Sequence, residues 1–532
     1  MRRSTTALIV SLAVWVGTVG ASPLSAQSRE KEPAPGPPAP DAVDAPPPAP
    51  APRRFPRPGN FFVPPSGPGY YSLVDQLRAT STKGATRSGY PAFAIMAPAF
   101  YDADFRYLDG TPSEARRPFE RLKRLRLGEN VLFSTGGGAW YRLHHERNSR
   151  LTGVDQTFSL GNLRVYGDLS YRDRVRVFGE FVTAGRAGGE LPALAIDSNR
   201  ADLLNAFVDV KVAHVAGRAV YARAGRQEVL LGSQRLVSPL PWGNMRRNFD
   251  GVRVFREGER VDVDVFWLEP VVADRTGFDS PSHDVQLAGA WVTYRPRAGH
   301  FLDVYSLFSN DSRNAAQQGI TLAPARFSTV GSRYAGDRNG LLWDVEGALQ
   351  IGRRGDDEGL VAGMASIGVG RHLKGAPWNP TLWAYYDHAT GDANPAEGRF
   401  TTFNQLFPFG HYYLGWADIA GRQNIRDANA HLALYPVPWI TIWLQYHHLW
   451  LDRGADALYN AGGAAIRRDA TGGSGRNVGD DVDVVVNFHI DAQSDVLVAY
   501  AHQAGGRFLE ATVSPTTASS GQSLFLLYNF RW

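Results

Sequence analysis

The sequence predicts an all-β protein, a transmembrane antiparallel β-barrel of about 18 strands with short periplasmic turns and long extracellular loops. Two observations predict this fold. From Val131 onward, apolar residues recur at every second position, so each strand has one apolar and one charged face. Short connections also alternate with long ones, which is typical of outer-membrane barrels. In a soluble sandwich or propeller, nothing requires short and long loops to alternate along the chain.

The composition excludes several other classes of protein. The 532 residues include no cysteine, so disulfide scaffolds, zinc ribbons and thiolate nucleophiles are ruled out. The chain is 20% charged and rich in aromatic residues, which is too many core-forming residues for a disordered protein. A net charge of +4 is too small to indicate nucleic acid as a partner. Only five of the 56 basic residues are lysines, an excess of arginine that codon bias alone could produce.

The N-terminal quarter of the chain precedes the strands. Residues 1–26 have a basic start, an apolar run and small residues at the end, and they predict a secretory signal peptide. Residues 27–69 are predicted to be a disordered Pro/Ala-rich linker, with 15 prolines between Pro33 and Pro68. Residues 70–128 are predicted to be an irregular periplasmic N-terminal segment. The barrel is assigned to residues 129–532, and the predicted location is the cell outer membrane.

The strands are expected to begin near residues 131, 157, 174, 203, 218, 250, 260, 284, 301, 326, 340, 359, 380, 422, 439, 479, 494 and 523. Short connections such as 171–173, 257–259 and 491–493 alternate with long ones such as 231–249, 391–421 and 452–478. In hydrocarbon an open sheet edge is untenable, so the sheet must close on itself. A closed sheet of this size is wide enough for an aqueous channel.

Aromatic residues support a membrane position. The last strand places Leu524, Leu526, Tyr528, Phe530 and Trp532 on one face, and it predicts a contact with the barrel assembly machinery. Trp439, Trp443 and Trp450 lie near strand ends and predict interfacial girdles. The outer apolar face is expected to contact outer-membrane lipid.

The charged face is expected to line the lumen. Arginine binds carboxylates through two parallel hydrogen bonds and stays charged, so it suits an anionic solute. The lumen candidates are Arg164, Arg174, Arg176, Arg223 and Arg253, with Asp168, Glu180, Asp209, Asp262, Asp264, Asp344, Glu346, Asp481 and Asp483 as counterparts. Arg226, Arg235, Arg246 and Arg247 border or lie in the long loop after the fifth strand, which is expected to fold into the mouth.

Several stretches resemble the alginate export family of outer-membrane porins. They are Gly225 to Gly232 with Arg235-Leu236-Val237, Trp242-Gly243-Asn244, Asn248 to Arg253, Pro118 to Lys123, Asp387 to Pro408 and His447 to Leu451. The resemblance implies an eighteen-stranded monomeric barrel that passes an acidic polysaccharide through an arginine-rich constriction. It also implies a gate formed by a long periplasmic turn between strands sixteen and seventeen. Here that turn is only Asp491-Ala492-Gln493, so the sequence departs from the family's gate.

The predicted function is an outer-membrane channel for diffusion or export of an anionic polysaccharide, alginate-like, or of small anionic solutes. The alternative is a secreted all-β protein that binds or cleaves polysaccharide. No nucleophile elbow, phosphate loop or zinc-helix motif occurs, so neither an enzymatic activity nor a cofactor is predicted. His447 and His448 point to opposite strand faces and cannot bind one metal ion together.

Overall fold

The computed structural model describes residues 62–91, 93, 99–275, 277–314, 320, 322–355, 358–394 and 398–532. The predicted signal peptide and all but the end of the proline-rich linker lie outside the described residues. Among the described residues no helix is long and apolar enough to cross a membrane.

The chain forms a closed antiparallel barrel of 18 strands, as the alternating pattern predicts. Every strand pairs with its neighbours in sequence, and the first strand pairs with the last, with Gly138 opposite Arg531. The strands are Val131–Arg147 (β1), Gln156–Tyr171 (β2), Val175–Gly188 (β3), Asn199–Val215 (β4), Arg218–Gln227 (β5), Phe249–Arg256 (β6), Val261–Val272 (β7), Val285–Tyr294 (β8), Phe301–Asp311 (β9), Ala325–Arg338 (β10), Leu341–Arg354 (β11), Glu358–His372 (β12), Thr381–Ala389 (β13), Ile425–Leu434 (β14), Ile440–Leu451 (β15), Asn477–His489 (β16), Ser494–Gly505 (β17) and Gly521–Arg531 (β18).

Shorter elements connect and cover the barrel strands. The helices are Leu73–Arg78 (α1), Gly410–Tyr413 (α2) and Arg507–Ala511 (α3). Single 3₁₀ turns span Phe100–Asp102, Arg106–Leu108, Ser113–Ala115, Pro118–Leu122 and Ser149–Leu151. Leu125–Leu127 pairs with β1, Ser280–Pro281 with β7 and Arg399–Phe400 with β12. Ala457–Tyr459 and Ala465–Arg468 form a separate two-stranded ribbon.

The outer surface of the barrel is apolar. Valines, isoleucines and leucines at alternate strand positions are exposed, for example Val252, Val330 and Ile367. On β18, Leu524, Leu526 and Tyr528 are exposed together on this outer face, while Phe525 and Leu527 between them are buried inside. The structure therefore assigns the apolar face to the outside and the mainly polar face to the lumen, as predicted.

One of the predicted girdle tryptophans faces the other way. Trp443 is fully buried, and its ring contacts Tyr412 and Trp416 of the long loop after β13. The prediction of an interfacial position for Trp443 was wrong because closeness to a strand end does not decide which face a residue occupies. Trp450 lies an odd number of residues further along β15 and is on the outer face.

Short connections lie at one end of the barrel and long connections at the other. The short-turn end includes residues 172–174, 216–217, 257–260 and 490–493, and the long-loop end includes 228–248 and 390–424. The turn between β16 and β17 has four residues, so the short connection predicted there is present.

The lumen is filled largely by three inserted segments. The first is the N-terminal segment, and the others are the first inserted loop (residues 228–248) and the second inserted loop (residues 390–424). Both loops are buried over most of their length, and their apolar residues form one cluster with inward side chains of the wall. A wide lumen is therefore expected from the strand count, but its filling depends on these insertions.

Candidate solute path through the barrel

Arginine–carboxylate pairs line the inner wall near the short-turn end. Arg176 binds Asp168 at 2.7 Å, and Arg223 binds Asp209 at 2.6 Å. On the next strand Arg253 lies directly opposite Arg223 in the strand pairing. Inward positions on adjacent strands thus bring these side chains together, because alternation places every second residue on one face.

Arg253 and Arg295 extend the row of pairs along the wall. Arg253 binds Asp264 at 2.6 Å, and Arg295 forms an ion pair with Asp262. Both acids come from β7, where the alternation with valine directs them inward. The wall therefore carries charges of both signs in contact, and most of its arginines are already neutralised.

A buried junction joins the wall to the first inserted loop. Arg164 of β2 binds Glu180 of β3 at 2.6 Å, and it lies 3.7 Å from Glu228 of the loop. Asn205 donates to both Glu180 and Glu228, at 2.8 and 3.0 Å. Glu228 also pairs with Arg246 at the far end of the same loop. Two arginines and two carboxylates therefore hold the base of the loop against the wall.

The first inserted loop crosses the lumen. At one side, Arg235 is fully buried and binds Asp344 and Glu346 of β11, each at 2.9 Å. Burial opposes the charge of Arg235, but the carboxylates outweigh it and raise its pKa well above the usual value. At the other side, Asn244 accepts from the Trp140 indole of β1 at 2.9 Å. Strands β1 and β11 lie on opposite sides of an 18-strand ring, so the loop divides the lumen.

The second inserted loop pairs with the first. Backbone N–H groups of Phe407 and Phe409 donate to the carbonyls of Leu236 and Gln234, each at 2.9 Å. The His411 ring stacks on Trp242, with the ring centroids 4.3 Å apart. The two loops therefore form one inserted layer.

Two arginines in this region make no ion pair with any described residue. Arg142 of β1 is 2% exposed, and its guanidinium lies 3.8 Å from the centre of the Trp242 ring. It donates to the carbonyl of Trp242 at 2.9 Å. Arg247 donates to the carbonyls of Ser238 and Pro408, at 3.2 and 3.3 Å. Burial lowers the pKa of Arg247 to about 10, still well above neutral, so the group stays charged.

An acidic region faces the second inserted loop from strands β14 to β16. Asp427 binds His447 at 2.8 Å, and Asp483 accepts from the backbone N–H of Trp416 at 3.1 Å. Asp481 is buried beside Asp483 on the same strand face. No group of three or more described His, Asp or Glu side chains is arranged to hold a metal ion.

Most of the predicted lumen residues face the inside of the barrel or lie in the first inserted loop. Inward strand positions hold Arg164, Asp168, Arg176, Glu180, Asp209, Arg223, Arg253, Asp262, Asp264, Asp344, Glu346, Asp481 and Asp483, and the first inserted loop holds Arg235, Arg246 and Arg247. Arg174 is exposed in the turn before β3, because that strand begins one residue later than expected. Arg226 lies three residues after Arg223, hence on the opposite strand face, where it binds Asp250 at 2.8 Å.

Sequence reasoning missed several inward arginines. Arg142, Arg333, Arg422 and Arg531 are all buried inside the barrel. For Arg142 a signal existed, because Trp140, Arg142 and His144 alternate with Tyr141 and Leu143 on β1. Arg422 lies in a loop and binds Asp387 of β13 at 2.5 Å, a contact that no strand period could reveal.

A small cavity remains between the inserted segments and the wall. Phe100 of the N-terminal segment, Pro241 and Arg246 of the first inserted loop, and Arg164 and Arg531 of the wall border it. The cavity lies where three chain segments meet, and three of its lining side chains are arginines.

The comparisons with known proteins agree with this architecture. Residues 131–522 match the family model described as alginate export. The chain belongs to the alginate export family. An alginate export family barrel is a transport channel of the outer membrane, so the protein is not an enzyme. No curated protein matches the sequence.

Several solved structures are similar to this chain over three quarters of its length. OccD3 (OpdP) of Pseudomonas aeruginosa has 13% identity and a TM-score of 0.47, and the match covers 75% of this chain and 91% of that chain. OccK3 (OpdO) of the same organism has 11% identity and a TM-score of 0.49, with coverage of 75% and 95%. OccAB4 of Acinetobacter baumannii has 11% identity and a TM-score of 0.48, with coverage of 75% and 98%.

Proposed function

We propose that this channel passes anionic solutes, either an alginate-like polysaccharide or small anions, along the arginines of its lumen. Membership of the alginate export family supports a polymer of acidic sugars. The inner wall and the first inserted loop together present a row of guanidinium groups. A guanidinium binds a carboxylate through two hydrogen bonds, which suits a solute with one carboxylate on each sugar.

The paired arginines favour transport over tight retention. Each of Arg164, Arg176, Arg223 and Arg253 already has a carboxylate partner from the wall. A solute carboxylate that reaches one of them must compete with that partner, so binding at each step is weak. Weak and repeated binding is what a channel needs, because a solute has to leave each site as readily as it enters.

The observation that carries the proposal is the pair of arginines without ion pairs, Arg142 and Arg247. Both are buried or half-buried, and both have carbonyl oxygens rather than carboxylates as hydrogen-bond acceptors. A positive charge that is not neutralised and lies away from bulk water attracts an anion more strongly than it would at the surface. Arg142 of β1 and Arg247 of the first inserted loop therefore place two positive charges without ion pairs beside the inserted layer.

Planar-bilayer reversal potentials test this function. In a KCl gradient the wild-type channel is expected to prefer chloride, and Arg142→Gln with Arg247→Gln should lower the chloride-to-potassium permeability ratio several-fold. The matched control is Arg223→Gln with Asp209→Asn, which removes one charge of each sign and should change the ratio little. A wild-type preference for potassium, or an equal response of both double variants, contradicts the proposal.

We also propose that the channel is a monomer whose β18 is recognised by the barrel assembly machinery. The closure between β1 and β18 leaves no free sheet edge for pairing with another copy. Light scattering of the detergent-extracted protein should give the mass of one chain, and a dimer mass contradicts this. Tyr528→Asp on the outer face of β18 should reduce assembly, whereas the inward control Asn529→Asp should not; equal assembly of both variants contradicts recognition of this face.

A further inference from the structure

We propose that the N-terminal plug, defined as residues 62–91, 93 and 99–123, occupies the arginine wall to which the anionic solute binds. The plug and the solute then compete for the same side chains. This inference rests on the proposed function for the chemistry of the solute. The position of the plug in the barrel does not depend on the proposed function.

The plug covers arginines of strands β2, β3 and β5. The Phe100 ring lies over the guanidinium of Arg164, 4.3 Å from the ring centre, and the Tyr101 ring lies 4.5 Å from that of Arg223. The backbone carbonyl of Tyr101 accepts a hydrogen bond from Arg176 at 2.8 Å. Three arginines that line the lumen are therefore in contact with two adjacent plug residues.

The plug extends from this wall to strands on the other side of β1. The carbonyl of Pro91 accepts a hydrogen bond from Arg531 of β18 at 2.7 Å. Further round, Phe62 and Phe93 pack on the inward Trp443 of β15, with ring centroids 5.2 and 6.4 Å apart. The plug contacts therefore span nine consecutive strands, from β15 to β18 and on from β1 to β5. Nine strands are half of the barrel wall.

The first inserted loop completes the obstruction. The Tyr101 hydroxyl donates to the backbone carbonyl of Glu228 at 2.5 Å, so plug and loop are directly joined. The cavity described above lies between Phe100 and this loop. With the plug in place, a polymer cannot pass along the arginines of β2 to β5.

The glycine run Gly136-Gly137-Gly138, to which the sequence gives no role, fits this arrangement. A Cβ at Gly136 would lie 1.9 Å from Lys123 Nζ, and a Cβ at Gly138 would lie 3.1 Å from the tip of the Phe100 ring. Lys123 Nζ donates to the carbonyl oxygens of Thr135 and Trp532, at 2.7 and 2.9 Å. Side chains on this part of β1 would therefore collide with the plug.

The chemistry of the contacts makes the plug displaceable. Arg164 and Arg223 contact ring faces of the plug, and Arg531 contacts one of its backbone carbonyls. Arg176 contacts a backbone carbonyl and in addition has the plug carboxylate of Asp102 nearby. A hydrogen bond from arginine to a carboxylate is roughly twice as strong as one to a neutral acceptor. Cation–π contacts at a site in contact with water are likewise weaker than a hydrogen bond from arginine to a carboxylate. An acidic sugar chain therefore gains more from Arg164 and Arg223 than the plug does, while a neutral sugar chain does not.

The absence of cysteine allows a direct test, because a single introduced thiol can be followed. Ala99 is buried in the plug, and the small change Ala99→Cys provides a thiol that reports the position of the plug. In the full chain in detergent, an oligomer of uronic acids should raise the rate at which a charged reagent modifies this plug thiol about tenfold. Maltohexaose should leave the rate unchanged, and an exposed control, Thr80→Cys, should react fast under all conditions.

A second variant locks the plug. The Val74 N–H donates to the Ile490 carbonyl at 3.1 Å, so Val74→Cys with Ile490→Cys is expected to form a disulfide on oxidation, visible as a gel shift. With the uronic acid oligomer present, the locked channel should conduct less than the same protein after reduction, because only the reduced plug can be displaced. Equal conductance in the two states under this condition overturns the displaceable plug.

The two proposals fail in different ways. If locking lowers conductance but the uronic acid oligomer does not expose the plug thiol of Ala99→Cys, competition for the arginines is overturned although the plug still blocks the pore. If the oligomer exposes the plug thiol and locking lowers conductance, both parts are supported. Reversal potentials of the reduced channel decide the anion preference separately from either result.

Discussion

The contact of Lys123 with the barrel predicts that docking of the N-terminal plug depends on pH. Lys123 is 1% exposed, and its ammonium donates to Thr135, Tyr166 and Trp532. Burial lowers the pKa of Lys123 to about 7. The neighbouring Tyr90 stays neutral below pH 11 because burial raises its pKa to about 12. Lys123 is therefore the titrating group of this contact near neutral pH.

The size of the effect follows from the two pKa values of the lysine. A solvated lysine has a pKa of about 10.4, so the undocked plug binds its proton more tightly than the docked plug does. Docking therefore carries a free-energy cost for releasing the Lys123 proton or burying its charge. This cost is absent above pH 10.4, grows as the pH falls, and becomes constant below pH 7. Between pH 9 and pH 7 docking should become less favourable by about 2 kcal/mol, or roughly 30-fold in the docking equilibrium.

Hydrogen exchange can measure this change. After correction for the intrinsic rate, amides of residues 99–123 should be less protected at pH 7 than at pH 9, while amides of the barrel strands should not change. Lys123→Met removes the titrating group and should abolish the difference. Equal protection of the plug at both pH values, or a pH dependence that persists in Lys123→Met, refutes the reasoning.

Two further predictions concern the inserted layer and the outer face. Arg235→Met leaves the buried carboxylates of Asp344 and Glu346 without this partner, and it should destabilise the protein by about 3–5 kcal/mol, which thermal unfolding in detergent would detect. An unchanged transition temperature would show that the pair does not hold the first inserted loop. Val330→Arg, on the exposed outer face of β10, should cost about 2–4 kcal/mol if it lies near the middle of the membrane. Assembly into a heat-modifiable barrel measures this, and the inward variant Thr329→Ser, which keeps the hydroxyl, serves as its control.

The alternation of apolar and charged residues with a period of two predicted most of the barrel strands. Strands such as β2 and β7 were predictable because their valines and leucines alternate with charged residues, and a slip of one residue would turn every side chain to the wrong side. The same rule placed Arg223, Asp262 and Asp264 inside the barrel. It should also have placed Arg226 outside, since an odd spacing reverses the face.

Positions at strand ends were harder to predict. Arg174 precedes β3 by one residue, and that single residue separates an inward position from an exposed turn. Trp443 was expected near lipid because of its residue type, yet it lies in the lumen against aromatic residues of the second inserted loop. Residue type therefore does not decide the face of a strand when the lumen itself contains a hydrophobic core.

The sequence by itself determined a closed eighteen-strand barrel and its apolar exterior. These features depend on local alternation and on connection lengths, which are written along the chain. Only the tertiary structure decided what fills the lumen. The contacts of Arg235 with Asp344, of Asn244 with Trp140 and of Tyr101 with Glu228 join residues more than a hundred positions apart. No local period encodes such contacts, because they form only after the barrel brings its walls and inserted segments together.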